Sequence, residues 1–169
     1  AWAPLQADGA GDALEALRRA VQRVFLEHPD PDRGLKVTFF LQRVQKLQAD
    51  VPANVSANTC SELTEGLRRL PDLACVVSVP GPDGPAEWVF HAASRGAQVM
   101  QLQERTLRGT LREWQGERAI VSAPDAFEGE LFVHADHASE NPSYFPKGSA
   151  VQFEVTVDLG GRVSAMRLR

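Results

Sequence analysis

The chain has 169 residues, 43% of them hydrophobic, so it is long enough for one large domain or two small ones with a packed core. Its 18 basic and 22 acidic side chains give a formal net charge of −4, which argues against tight, non-specific binding to duplex phosphates. Two cysteines are too few for a disulfide framework or a closed zinc site, and Cys60 and Cys75 are expected to be buried free thiols.

No apolar run reaches the roughly 20 residues of a membrane span, and no signal peptide opens the chain. We therefore expect an intracellular protein, in the cytoplasm or the nucleus, with no membrane partner. The Asn-Val-Ser sequon at residues 54–56 is attributed to chance. Because the chain does not begin with Met, we interpret it as a region of a larger protein.

The front half predicts three helices and a hairpin. Apolar residues at helical spacing indicate a first helix capped by Asp12 and a second helix from about Thr38. The third helix begins with a capping-box pair, Thr59 and Glu62, and has a narrow apolar stripe formed by Cys60, Leu63, Leu67 and Leu70. Residues 75–79 and 87–91 alternate as strands around a turn rich in proline and glycine.

Three helices followed by a hairpin is the order of a winged helix. Residues 10–93 resemble the LOTUS or OST-HTH branch of that fold in this order and in the leucine-rich third helix before Pro-Asp-Leu at residues 71–73. The resemblance implies RNA binding or docking of protein partners such as helicases, with Arg68 and Arg69 as candidate contacts. Duplex DNA reading is disfavoured, because the same helix carries Glu62 and Glu65 where a groove would need donors.

After a predicted connector at residues 94–104, the back half predicts five short strands. They span residues 106–114, 118–122, 130–134, 150–157 and 162–168, with one long loop before the fourth strand. Such a series is typical of a small Greek-key barrel of the OB type. The predicted fold class is therefore α+β, a winged helix followed by a five-stranded OB-type barrel.

Three motifs in the back half resemble those of a cold-shock domain, over residues 105–169. They are Gly-Thr-Leu-Arg-Glu-Trp at residues 109–114, Leu-Phe-Val-His at residues 131–134, and Lys-Gly-Ser-Ala-Val-Gln-Phe-Glu-Val at residues 147–155. Members of that family stack bases of single-stranded RNA or DNA on their sheet, which the resemblance implies here. Strand alternation independently places Phe132 and His134 outward, as a stacking surface requires.

One motif departs from the family. Residues 115–120 read Gln-Gly-Glu-Arg-Ala-Ile, whereas the family has Lys-Gly-Phe-Gly-Phe-Ile. Two stacking aromatics are therefore missing, and Glu117 introduces a carboxylate that repels phosphate. Trp114 is offset by one residue from the family tryptophan. We interpret the domain as a degenerate cold-shock domain, with weak affinity for single strands or a surface used by protein.

The candidate binding residues share the outward sheet face or the long loop: Phe132, His134, Trp114, Arg112, Arg118, Tyr144 and Lys147. Two simpler interpretations stay open. The aromatic residues could cover one end of the barrel, and Arg112 and Arg118, with Arg108, could be solubilising charges. The arginines are interpreted as binding residues only if they lie on the same face as Phe132.

The expected function is non-enzymatic binding of single-stranded RNA, with single-stranded DNA as a variant and a protein partner besides. The alternative is a protein–protein interaction module of a ribonucleoprotein or RNA-processing assembly, with little affinity for nucleic acid. No cofactor or metal is expected, because the histidines and cysteines that could join His-Ala-Asp-His at residues 134–137 all lie in the front half, and no catalytic motif is present.

Overall fold

The computed structural model describes the backbone of residues 2–48 and 59–169, and the side chains of residues 13–47 and 59–169. The sequon at residues 54–56 lies outside the described residues. The chain divides into two compact units, Ala1–Ser94 and Arg95–Arg169. The fold mixes helices and strands and includes a closed five-stranded barrel, so the α+β class is confirmed. Among the described residues, no helix is both long and apolar enough to cross a bilayer.

The first unit contains three helices and a small antiparallel sheet. In chain order its elements are α1 (Trp2–Glu27), β1 (Leu35–Lys36), α2 (Val37–Gln48), α3 (Cys60–Arg68), β2 (Ala74–Val79) and β3 (Ala86–His91). The strand order is β1-β3-β2, because Leu35 pairs with Val89 and Val76 pairs with the same residue from the other side. The sequence analysis did not predict β1, because a strand of two residues is too short to show the alternation of buried and exposed side chains.

The core of this unit follows the predicted apolar faces. Phe40 and Val44 of α2 and Leu63 and Leu67 of α3 are fully buried in one cluster. The Thr59 hydroxyl accepts a hydrogen bond from the Glu62 backbone N–H at 3.1 Å, as expected of a residue that caps a helix.

Two predictions for this unit need correction. α1 begins at Trp2, so Asp12 lies inside the helix and does not cap its start. A proline at the first turn costs no helical hydrogen bond, so Pro4 is compatible with the earlier start. Cys60 and Cys75 are free but only half-buried, Cys60 because it begins α3 at the margin of the core. Burial raises the pKa of the Cys75 thiol above its ordinary value.

The second unit is a short helix and a closed barrel. Its elements are α4 (Arg95–Met100), β4 (Leu107–Leu111), β5 (Arg118–Ser122), β6 (Glu130–His134), β7 (Ala150–Val157) and β8 (Val163–Met166). The strands follow one another as β4-β5-β6-β8-β7, and β4 pairs with β7 to close the barrel. Such a five-stranded barrel fits an OB fold. Residues 95–100, predicted as part of a connector, instead form α4, which contacts β7 and β8.

The barrel interior confirms the predicted alternation. Leu131 and Val133 of β6 and Phe153 and Val155 of β7 are buried, while the residues between them are more exposed. Position 109 of β4 requires glycine, because the strand passes close to the backbone of Ser122 and to the ring of Phe153. A Cβ atom at this position would collide with the Ser122 carbonyl oxygen and lie 3.0 Å from the Phe153 ring.

We expect Gly109→Ala to destabilise the second unit by about 1–3 kcal/mol, because the Ser122 backbone must move to accommodate the methyl group. Gly160→Ala is the matched control, since its Cβ would meet only the Asp158 carboxylate at an ordinary 3.4 Å. Urea unfolding of both variants measures the difference. Equal stability of the two would contradict the close approach at Gly109.

An ion pair gives the first unit a pH dependence. Arg18 of α1 donates two hydrogen bonds to the Asp72 carboxylate, at 2.5 and 3.3 Å. These bonds hold the pKa of Asp72 below its usual value. The Arg18–Asp72 pair therefore stabilises the folded state fully above the pKa of Asp72 in the unfolded chain, which is about 3.9. This stabilisation is lost as the pH falls through the lower pKa of Asp72 in the folded protein.

We expect wild type to be more stable than Asp72→Asn at neutral pH, with the difference shrinking below about pH 4 as the carboxylate is protonated. Urea titrations of both proteins between about pH 7 and pH 3 measure this difference. A difference that stays constant over the whole range would show that the Asp72 charge does not contribute.

Candidate functional site

The outward side chains of the barrel are aligned in rows by the strand register. Ile120 of β5 lies directly opposite Phe132 of β6, and the Arg112 N–H donates to the Ile120 carbonyl at 2.7 Å. Residues opposite each other across a ladder point to the same face. Arg112, Ile120 and Phe132 therefore form one outward row. Phe132 is 45% exposed, so a large part of its ring faces solvent.

A groove of about 320 Å³ lies along this row, and we name it the Phe132 groove. It is lined by Arg112, Glu113, Gln115, Arg118, Ala119, Ile120, Phe132 and Lys147. Four of the seven barrel residues predicted to bind are thereby brought together. Three lining side chains are cationic and one is acidic, so the local charge is opposite in sign to that of the whole chain.

The Arg112 guanidinium is oriented by a carboxylate outside the groove lining. Its Nη2 lies 2.6 Å from Oε1 of Glu130, which follows the turn into β6. The Arg112 side chain is still 63% exposed, so this pair contributes little to stability. A guanidinium has five N–H donors, and Glu130 occupies only part of them. Arg112 can therefore bind an anion in the groove while Glu130 limits how strongly it does so.

Lys147 reaches the groove because the long loop is pinned to the end of β4. The Gly148 N–H donates to the Leu111 carbonyl at 2.8 Å, and the Leu111 N–H donates to the Ser149 carbonyl at 2.9 Å. Gly148 has a φ of +85°, a conformation that favours glycine. The turn places Lys147 beside residues 112–115, which are distant from it in sequence.

His134 faces outward as the alternation predicted, but it does not line the groove. Its Nδ1 accepts a hydrogen bond from the Asp136 N–H at 3.1 Å and caps the 3-10 turn Ala135–His137. Its Nε2 lies 3.4 Å from Oε2 of Glu117, and its Nδ1 lies 3.3 Å from Oδ2 of Asp136. The ring is thus engaged by its own turn and by the carboxylate that replaces an aromatic residue of the resembled family.

The structure does not bring the other predicted aromatic residues into the groove. Trp114 is half-buried, and its Nε1 is buried without a hydrogen-bond partner among the described residues. Tyr144 ends the 3-10 turn Pro142–Tyr144 and is 71% exposed, away from the groove lining. In the first unit, Arg68 and Arg69 are exposed at the C-terminal end of α3.

Sequence reasoning missed four residues of the groove lining, which are Glu113, Gln115, Ala119 and Ile120, and it also missed Glu130, which pairs with Arg112. Glu113 and Gln115 flank Trp114, and the predicted turn at residues 115–116 could have placed them at the groove. Ile120 and Glu130 are identified only by the register of β5 against β6. Within the described parts of the chain, no group of three or more His, Cys, Asp or Glu side chains is placed to hold a metal ion.

Neither a scan against protein-family models nor a search of curated proteins found a match to this chain. The Phe132 groove is therefore the feature of the chain from which a function is inferred.

Proposed function

We propose that the second unit is a degenerate cold-shock-type OB domain that binds single-stranded RNA weakly, without catalysis, in the Phe132 groove. The observation that carries this proposal is the convergence of Arg112, Arg118 and Lys147 around one exposed aromatic ring. Single-strand binders combine cations that follow the phosphates with aromatic side chains that stack the bases. Both parts are present at this face of the barrel.

The apolar part of the groove suits one unstacked base. Phe132 offers its ring, and the half-buried Ile120 beside it extends the apolar floor. A volume of about 320 Å³ leaves room for a small planar group. The cations at the rim then lie where the phosphates of the same strand would pass.

Weak affinity follows from the same geometry. Among the described residues, only one aromatic ring lines the groove, and Glu113 adds a negative charge to it. Glu130 partly neutralises Arg112, and His134 is occupied by its turn and by Glu117. Each missing stack removes about 1–3 kcal/mol of binding free energy.

We propose further that the first unit is a winged-helix domain that docks RNA or protein. Its element order and its strand order, β1-β3-β2, support this assignment. The contact surface would include Arg68 and Arg69, which are exposed at the end of α3. The α3 dipole stabilises the positive charges of both arginines, and their exposed side chains are the groups that would contact an anionic partner.

Phe132→Ala should raise the Kd for single-stranded RNA roughly 5- to 150-fold, because one base stack is worth about 1–3 kcal/mol. Phe132→Trp keeps a stacking ring and should bind like the wild type, whereas Phe132→Leu keeps apolar area without the ring and should bind weakly. Fluorescence anisotropy with a labelled oligonucleotide at low salt measures all three. Tyr144→Ala is the matched control, since this ring lies outside the groove lining.

Two results would overturn the RNA proposal. The wild type could fail to bind single strands at low salt, or Phe132→Ala could bind as the wild type does. A fall in affinity for Tyr144→Ala equal to that for Phe132→Ala would show that the groove is not the site. Thermal unfolding of each variant separates loss of binding from loss of fold.

The acidic side chains at the groove favour a second candidate, a protein-interaction module with little affinity for RNA. Glu113 in the lining and Glu130 beside Arg112 repel phosphate, but both accept hydrogen bonds from basic or amide groups of a protein.

Affinity capture with and without nuclease distinguishes the two candidates. We expect partners of an RNA-binding domain to be released by the nuclease. Partners that persist after nuclease treatment, and are lost with Phe132→Ala, would favour the protein-interaction module.

A further inference from the structure

A second pair of arginines lies on the outward face of the barrel, outside the groove lining. Arg108 of β4 is directly opposite Gln152 of β7. Gln152 exchanges two backbone hydrogen bonds, at 2.7 and 2.9 Å, with Arg169 on its other side. The three residues therefore form one row on one face, which we name the Arg108–Arg169 row.

Glu154 lies on the same outward face, two residues from Gln152 along β7, and its carboxylate is paired with Arg167. Arg108 and Arg169 are both exposed, and neither forms an ion pair or a side-chain hydrogen bond within the described part of the chain. Arg167 differs, because its guanidinium lies 3.1 Å from the Glu154 carboxylate. Strands are about 4.8 Å apart, so Arg108 and Arg169 stand about 10 Å apart across a neutral amide. Two cations at this spacing attract an anion that bridges them.

The row is connected to the Phe132 groove along β4. Arg108, Thr110 and Arg112 alternate onto the same outward face, and a strand rises about 3.3 Å per residue, so the two arginines are about 13 Å apart. Thr110 lies opposite Ala150, and both are exposed. Because both side chains are short, they do not obstruct the surface between the row and the groove. The Thr110 hydroxyl can donate a hydrogen bond to a ligand there.

We propose that a single strand seated in the Phe132 groove continues along β4 and places backbone phosphates on Arg108 and Arg169. This inference rests on the proposed function and adds a second contact region to it. The ligand chemistry is the phosphodiester backbone, which RNA and single-stranded DNA share. Gln152 between the arginines can both donate to a phosphate oxygen and accept from a ribose or base.

Oligonucleotide length tests this path, because only a strand longer than the groove can reach the row. With the full chain, Arg108→Ala/Arg169→Ala should raise the Kd for an RNA of about eight nucleotides roughly 5- to 20-fold at low salt. The Kd for an RNA dinucleotide should not change, since one base fills the groove and the single phosphodiester lies beside the groove's own cations. The slope of log K against log salt for the longer RNA should fall in magnitude by about 1.4, because each single-strand phosphate contact contributes about 0.7.

Two further variants separate phosphate contact from general charge. Arg108→Lys/Arg169→Lys keeps both cations and should retain most of the affinity for the longer RNA. Arg19→Ala/Arg162→Ala removes two arginines from other positions and should leave the Kd near that of wild type. Single-stranded DNA of the same length and sequence should lose the same affinity for the Arg108→Ala/Arg169→Ala variant, since the proposed contacts are to phosphate.

The outcomes of this experiment are distinguishable. If Phe132→Ala weakens both RNAs while the row variant weakens neither, the proposed function stands and the β4 path is overturned. The β4 path is also overturned if the row variant weakens both lengths equally, or if Arg19→Ala/Arg162→Ala matches its effect. If the wild type binds neither RNA, the proposed function and this inference are both overturned.

Discussion

The antiparallel register between β5 and β6 is the constraint on which the outward face of the barrel depends. It sets Ile120 opposite Phe132 and Ala119 opposite Val133. Because side chains alternate along a strand, a slip of one residue would expose Leu131 and Val133 and bury Phe132. The burial of Leu131 and Val133 in the barrel core therefore selects the register, and the exposed ring of Phe132 is a consequence of that selection.

A second constraint fixes where β6 begins. The Arg95 guanidinium of α4 donates to the carbonyls of Glu128 at 2.9 Å and Glu130 at 2.7 Å. Between them Gly129 has a φ of +82°, and a Cβ atom there would lie 2.8 Å from the guanidinium. The bonds of Arg95 thus hold the backbone of the residue whose carboxylate orients Arg112. A residue outside the barrel strands in this way supports the geometry of the groove.

The distribution of charge also shows why net charge is a poor guide to the charge of a local surface. The chain carries −4 overall, yet three cations line one groove and two more stand in a row along the same sheet face. Two carboxylates reduce the positive potential at the groove, because Glu113 lines it and Glu130 pairs with Arg112. An acidic protein can still have a locally cationic surface, because exposed charges are screened over about 10 Å and most of its carboxylates are not neighbours of these cations.

The sequence by itself determined the barrel strands and their inward positions. Strands β5, β6 and β7 were predicted with the bounds that the structure shows, because a period of two is a local property of the chain. The start of α1 was missed because the apolar period in the sequence begins only at Leu14, and the short β1 and the helix α4 were missed because each depends on packing against other elements. Only the tertiary structure decided which candidates form a site. Phe132 and Arg118 lie on neighbouring strands, and Lys147 arrives through hydrogen bonds to β4, whereas the turn after β6 engages His134. Such contacts join residues distant in sequence, and no local pattern encodes them.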